Sequence, residues 1–214
     1  MEEIIRTIET SLGAQGFVIT EGSASPAELR WLNDFVISHR GIRRIGEIGF
    51  NAGISTNALL ACRLDVSVVS FDICDHDYAT AAKALVDAAY PGRHELIPGD
   101  SKVSLASYAA SHPGAGFDLL FIDGGHDLET VRADLANGPL VSKNETVLVI
   151  DDLTPWEHWG KGPTVAWKEM VKSGKVKQTG LYRNGEAITE IAGRRGDRVW
   201  ATGTYAPGAL QSGT

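Results

Sequence analysis

Between residues 42 and 152 the chain alternates short, β-branched apolar runs with Ala- and Leu-rich segments whose apolar residues fall at helical spacing. A chain with that rhythm folds as a parallel sheet with crossover helices packed on its faces. The runs at 42–48, 66–72, 95–98, 118–122 and 146–150 are the expected strands. Segments 55–63, 78–89, 102–111 and 128–140 are the expected helices between them. Upstream, Ser25-Pro26-Ala27-Glu28 reads as an N-cap, a first-turn proline and an N3 glutamate, a capping box that opens a helix over 26–38. A short amphipathic helix fits 2–12, and Pro163 opens another covering 164–172. After it the pattern changes: 176–182, 187–191 and 198–205 read as strands joined through Asn184-Gly185 and Arg195-Gly196-Asp197. The tail at 206–214 is small, polar and expected to fray.

One domain suits 214 residues, and the core must hold it without staples. Cys62 and Cys74 are too few for a disulfide framework and lack a zinc-ligand pattern, so they are expected to stay reduced. No run approaches the ~18 to 20 apolar residues that cross a bilayer, and the first residues are acidic where a secretion signal is basic, so the expected location is cytoplasmic. Twenty Lys and Arg against 27 Asp and Glu leave a net charge of −7, which disfavours nucleic acid or an anionic membrane as partner. A small cationic ligand suits it better.

The first expected strand runs into Glu47-Ile48-Gly49-Phe50-Asn51-Ala52-Gly53-Ile54-Ser55, a glycine-bearing turn that feeds a helix. Such a turn lets a ligand approach the backbone, and the helix start offers unpaired N–H groups, as nucleotide-type sites require. Gly46, Gly49 and Gly53 do not make the dinucleotide spacing G-x-G-x-x-G, so a pyrophosphate cradle is disfavoured.

The stretch from Glu47 to Ser55 resembles the first motif of class I S-adenosylmethionine-dependent methyltransferases, and in particular the small O-methyltransferases that use a divalent cation. The resemblance covers about residues 42–167 and implies a Rossmann-like, doubly wound, mostly parallel central sheet with helices on both faces and an antiparallel C-terminal end. It divides one methyltransferase domain into N-terminal helices (1–40), a cofactor-binding core (41–153), a lid loop with helix and terminal strands (154–205) and the tail (206–214). It implies that Gly49, Phe50, Asn51, Gly53 and Ser55 pass under the methionine part of S-adenosylmethionine, with Glu47 holding that end. Asp72, followed by Ile73, would accept the ribose hydroxyls, and Gly99-Asp100-Ser101 would meet the adenine, with Asp100 at its amino group.

In a doubly wound sheet adjacent strand ends converge on the ligand crevice, so Asp123, in Phe121-Ile122-Asp123-Gly124-Gly125-His126, should meet Asp151 and Asp152 there. Three clustered carboxylates repel unless neutralised, and a hard divalent cation, magnesium by ligand hardness, does this. The trio is similar to the metal site of the cation-dependent O-methyltransferases, in which Asp123 also touches the cofactor. Where the catechol and phenylpropanoid branches carry a lysine, this chain has His126; its Asp-Gly-Gly-His and Asp-Asp motifs look more like the branch that methylates sugars and natural products. A neutral imidazole can accept a proton from a metal-acidified hydroxyl, so His126 is the expected base, with Asp123 beside it.

After the acidic pair, Trp156, His158 and Trp159 sit in a glycine-bearing loop suited to wall an organic acceptor. Trp31 and Trp167 are expected in the core, and His39, His76, His94 and His112 on the surface. The expected reaction is methyl transfer to a hydroxyl of a small molecule such as a phenol, sugar or natural product, by a protein that the resemblance implies is a homodimer. Two rivals use the same fold: an NAD-linked oxidoreductase, which the glycine spacing opposes, and a non-catalytic S-adenosylmethionine-binding protein.

Overall fold

Among the described residues, seven of the helical segments and seven of the eight strands follow from the local signals just described, and all eight strands join in a single sheet. The computed structural model describes residues 1–22 and 24–210. Its parallel part comprises β1 (Arg44–Ile48), β2 (Ser67–Asp72), β3 (His94–Pro98), β4 (Phe117–Ile122) and β5 (Ser142–Ile150). Strands β6 (Val176–Arg183), β7 (Glu186–Ala187) and β8 (Val199–Tyr205) complete it, in the order β3-β2-β1-β4-β5-β8-β6-β7. Pairings among β1 to β5 are parallel, and those of β8 with β5 and β6, and of β6 with β7, are antiparallel. From β1 the chain winds outward to β2 and β3, then returns to place β4 on the other side of β1. That reversal opens a crevice at the carboxyl ends of β1 and β4, where ligands of such folds bind.

The helices are α1 (Glu2–Ala14), α2 (Pro26–Ser38), α3 (Ile54–Ala61), α4 (Ala79–Ala89), α5 (Ser101–Ser111), α6 (Leu128–Asn137), α7 (Lys161–Lys172) and the short α8 (Pro207–Leu210). Strand residues alternate between two apolar cores, one per sheet face. Leu119 and Phe121 of β4 pack with Leu12, Leu32 and Leu59 from the α1–α3 side, whereas Leu120 and Ile122 pack with Leu105, Leu135 and Trp167 from α5, α6 and α7. The capping box at α2 is present in full: the Ser25 hydroxyl accepts the Glu28 N–H at 3.2 Å, and the Glu28 carboxylate accepts the Ser25 N–H at 3.3 Å.

Several boundaries differ from the sequence reading. The helix expected over 128–140 stops at Asn137, because Pro139 cannot continue its hydrogen bonds, and a 3-10 turn follows over Gly138–Val141. The strand expected at 187–191 pairs only through Glu186–Ala187, beyond which Ile188 makes a last bond to Leu181. In the tail, Pro207–Leu210 forms a helical turn instead of fraying, and the remainder, 211–214, lies outside the described residues. Trp167 is buried as expected, while Trp31 is half-buried against Phe35, Tyr182 and Trp200. Among the described residues, no helix is long and apolar enough to cross a membrane.

Candidate active site

A cleft of about 720 Å³ opens over the carboxyl ends of β1, β2, β3, β4 and β5, within the size range of small-molecule sites. Its floor begins at the glycine turn. Gly49 adopts φ +99°, and a Cβ there would lie 2.0 Å from the Asp123 main-chain oxygen, so glycine alone lets the β1 and β4 ends close on one another. Asn51 turns left-handed at φ 48°, and Gly53 caps α3. Phe50, Asn51 and Ser55 line the cleft, whereas Gly53 does not and packs against the Phe50 ring.

Asp72 and Ile73 also line the cleft, yet the Asp72 carboxylate does more than wait for a ligand. One oxygen accepts the N–H groups of Phe50 at 2.7 Å and Asn51 at 2.9 Å, and the other accepts that of Cys74 at 2.7 Å. It thereby holds the glycine turn of β1 to the end of β2. Glu47 departs further from its expected place at the methionine end. It is fully buried below the turn and does not line the cleft. Its oxygens accept the hydroxyls of Ser55 at 2.6 Å, Thr56 at 2.5 Å and Ser70 at 2.5 Å. Burial pushes its carboxyl up to about 7 despite those bonds.

His94, expected on the surface, is part of the same interior network. Its Nε2 lies 3.0 Å from the Ser70 hydroxyl, its ring stacks on Phe50, and burial pushes it down to about 4, which keeps it neutral. Position 94 starts β3 instead of preceding it, and the pairing with Val68 carries the ring inside. On the far side of the cleft, Gly99, Asp100 and Ser101 form the β3–α5 turn and line it. Asp100 caps α5 by accepting the Lys102 N–H at 3.0 Å. A Cβ on Gly99 would meet nothing within 4 Å, so the wall there is open to a ligand.

At the other end of the cleft the expected acids converge. Main-chain bonds from Asp123 to Ile48 (2.9 Å) and from Asp151 to Ile122 (3.1 Å) bring the ends of β1, β4 and β5 level. Ligand atoms of Asp123, His126 and Asp152 lie within 4.8 Å of one another. His126 Nε2 is 2.9 Å from one Asp152 oxygen, and Arg198 donates to the other at 2.9 Å. The bond to Asp152 raises the His126 pKa above its ordinary 6.5. Asp152 itself is buried and left-handed at φ 58°, a conformation that asparagine and aspartate tolerate best.

Asp151 lines the cleft but falls outside this three-residue group, where His126 stands in its stead. Its charge acts on Glu28, the capping-box glutamate, which is buried and faces the acidic end, and one oxygen of each has no hydrogen-bond partner among the described residues. Burial, then the charge of Asp152, pushes Asp151 up to about 7; burial and the charge of Asp151 hold Glu28 well above the carboxylate range. Burial together with the charges of Asp151 and Asp152 raises Asp123 likewise. The sequence marked Glu28 only as a capping residue, and nothing in it pointed to Arg198, which β8 brings in from the antiparallel end of the sheet.

His158 and Trp159 line the cleft with their rings edge-to-face at 4.8 Å. Trp156 does not. It packs on Gly193, where a Cβ would lie 2.6 Å from its ring, and against the core on the α5–α7 face. His76, another residue expected on the surface, lines the cleft and pairs with Glu21 at 3.2 Å, linking the α1–α2 connection to the loop after β2. His39 and His112 are exposed.

The family description "methyltransferase domain" matches residues 47–153, from the glycine turn to just past the acidic pair. No curated protein matches the chain by sequence. Among solved structures, an O-methyltransferase from Bacillus cereus in complex with S-adenosylhomocysteine is similar at a TM-score of 0.71 and 21% identity, covering 96% of this chain and 90% of that one. The O-methyltransferase TomG from Streptomyces achromogenes, involved in tomaymycin synthesis and complexed with S-adenosylmethionine, gives 0.70 at 18% identity over 95% and 90%. A Podospora anserina methyltransferase with S-adenosylhomocysteine bound gives 0.69 at 17% over 95% and 87%. At these identities the likeness establishes the fold.

Proposed function

Because the chain belongs to the methyltransferase domain family, and with it to the S-adenosylmethionine-dependent methyltransferases, we propose that it methylates a hydroxyl oxygen of a small organic acceptor with the help of a divalent cation. The observation that carries this reading is the meeting, in one cleft, of the glycine turn held by Asp72 with the Asp123, His126 and Asp152 group. Bound S-adenosylmethionine supplies a methyl group made electrophilic by its positive sulfur. The acidic cleft complements that charge, and the open wall at Gly99 leaves room for the nucleoside. In the transfer the sulfur–carbon bond breaks as the oxygen–carbon bond forms, and the hydroxyl proton must leave.

His126 would take that proton. With Nε2–H donating to Asp152, the lone pair sits on Nδ1, and Asp152 stabilises the imidazolium that results. Trp159 and His158 would hold the acceptor against the methyl group, and the rate then derives chiefly from alignment and exclusion of water.

The donor set fits a cation. Glu28, Asp151 and Asp152 are buried and Asp123 is half-buried, and they face one guanidinium and one imidazole. Burial first, and the neighbouring carboxylates after it, raise the carboxyls of Glu28, Asp123 and Asp151. Asp123 and Asp152 would hold the ion, and oxygen donors favour magnesium over softer metals. When bound, such an ion lowers the pKa of an acceptor hydroxyl and orients it.

The test is transfer of labelled methyl from S-adenosylmethionine to a panel of phenols, sugars and hydroxylated natural products, with and without chelator. Oxygen methylation that falls on chelation supports the reading. Methylation only at nitrogen, or full activity in excess chelator, contradicts it.

A further inference from the structure

Asp152 is held from both sides. His126 engages one carboxylate oxygen and Arg198 the other, each at 2.9 Å, so neither oxygen is free for a cation without displacing or sharing a partner. The arrangement is built into the sheet. Arg198 immediately precedes β8, which runs antiparallel to β5, and the Leu153 N–H bonds the Val199 carbonyl at 2.8 Å, locking the residue after Asp152 to the residue after Arg198. A further bond from the Thr154 N–H to the Asp152 carbonyl at 2.7 Å fixes the left-handed turn that aims the carboxylate. Arg198 is about one-quarter exposed, and Asp152, Asp151, Glu28 and Asp123 all act on it electrostatically, against the cost of its own burial.

A fixed positive charge among four carboxylates does two things. It neutralises part of the cluster, and it repels any second cation placed there. We infer that Arg198 sets the cation affinity of this site: its guanidinium occupies Asp152 as a resident counter-charge, so a divalent ion binds in competition with it and more weakly than the donor set alone would allow. This rests on the cation reading above. Each positive partner supports the cluster in the other's absence, so removing the guanidinium should leave the cluster short of charge and dependent on the ion.

The experiment uses the full chain freed of metal, as wild type and as Arg198→Gln, Arg198→Met and Arg198→Lys, titrated calorimetrically with Mn²⁺ and melted with and without it. The neutral variants are expected to bind Mn²⁺ at least about tenfold more tightly than wild type. They should melt lower than wild type without the ion and gain more from saturating Mn²⁺ than wild type does. The Lys variant, with its charge retained, should stay near wild type. Equal or weaker Mn²⁺ binding in both neutral variants overturns the inference while leaving the cation reading intact. Absence of Mn²⁺ binding from wild type and variants alike overturns both. Neutral variants that stay unfolded in saturating Mn²⁺ also overturn it, because an ion then cannot replace the guanidinium.

Discussion

Replacing Asp72 with alanine separates two roles that an acid at this strand end can play. If it only receives a ligand, the cofactor-free protein should not notice its loss. In the structure its carboxylate accepts three main-chain N–H groups, from Phe50, Asn51 and Cys74, at 2.7 to 2.9 Å. Hydrogen bonds to a charged acceptor contribute about 1.5 to 3 kcal/mol each. Three bonds to one half-buried group are not additive, and water can reach part of the site, so a total loss of about 3 kcal/mol is the reasonable magnitude. At roughly 2 to 4 °C per kcal/mol for a chain of this size, the melting temperature should fall by about 6 to 12 °C without any ligand. Affinity for S-adenosylhomocysteine should fall as well, by at least about tenfold, because Phe50 and Asn51 lose their anchor. Asp72→Asn should rescue only part of the loss, since its oxygen can keep the Phe50 and Asn51 bonds while its NH2 group would face the Cys74 N–H. Differential scanning calorimetry of the cofactor-free variants measures this directly. A melting temperature within about 1 °C of wild type would refute the anchoring role.

Gly49→Ala should destabilise the protein by about 2 to 4 kcal/mol, from the left-handed backbone and the contact with the Asp123 carbonyl, and a melting curve reads it. His126→Ala should lower kcat by roughly 10² to 10⁴. Since Asp152 raises the His126 pKa, the neutral base accumulates only above pH 6.5, and kcat/KM should show an acid limb with its midpoint above that value. The same sign applies to stability: what the His126–Asp152 pair contributes is complete below pH 6.5 and is lost as pH rises through the raised value. Asp152→Asn should move the acid limb to lower pH. Trp159→Ala should raise the acceptor KM and leave S-adenosylhomocysteine affinity within about twofold, whereas Trp156→Ala should destabilise the fold by roughly 2 to 4 kcal/mol, read as a lower melting temperature.

The parallel part of the sheet was legible because its central strands, β1, β2, β4 and the end of β5, are mostly buried and leave short, largely apolar, often β-branched runs in the sequence. The convergence of Asp123 and Asp152 was legible for a related reason: strand ends in such a sheet share one edge. What the sequence could not show was which neighbour each acid would choose. Ser25 and Glu28 announce a helix start, but only the packing of α2 turns Glu28 towards Asp151 and withdraws that acid from the group His126 completes. Arg198 carried no local signal, since its bond to Asp152 depends on antiparallel register across 46 residues. Trp156 and Trp159 share one loop and one residue type, and only the space above Gly193 decides which turns inward. His94 shows the same limit: a histidine at a strand start is buried or exposed according to the neighbouring strand.

The methyl-donor chemistry requires that this cleft bind the nucleoside of S-adenosylmethionine. Calorimetric titration of the purified chain with S-adenosylhomocysteine, with NAD as control, tests that requirement most directly. Saturable one-to-one binding of S-adenosylhomocysteine, lost or weakened at least about tenfold in Asp72→Ala and unmatched by NAD, is the predicted result. Binding of NAD without S-adenosylhomocysteine would contradict it.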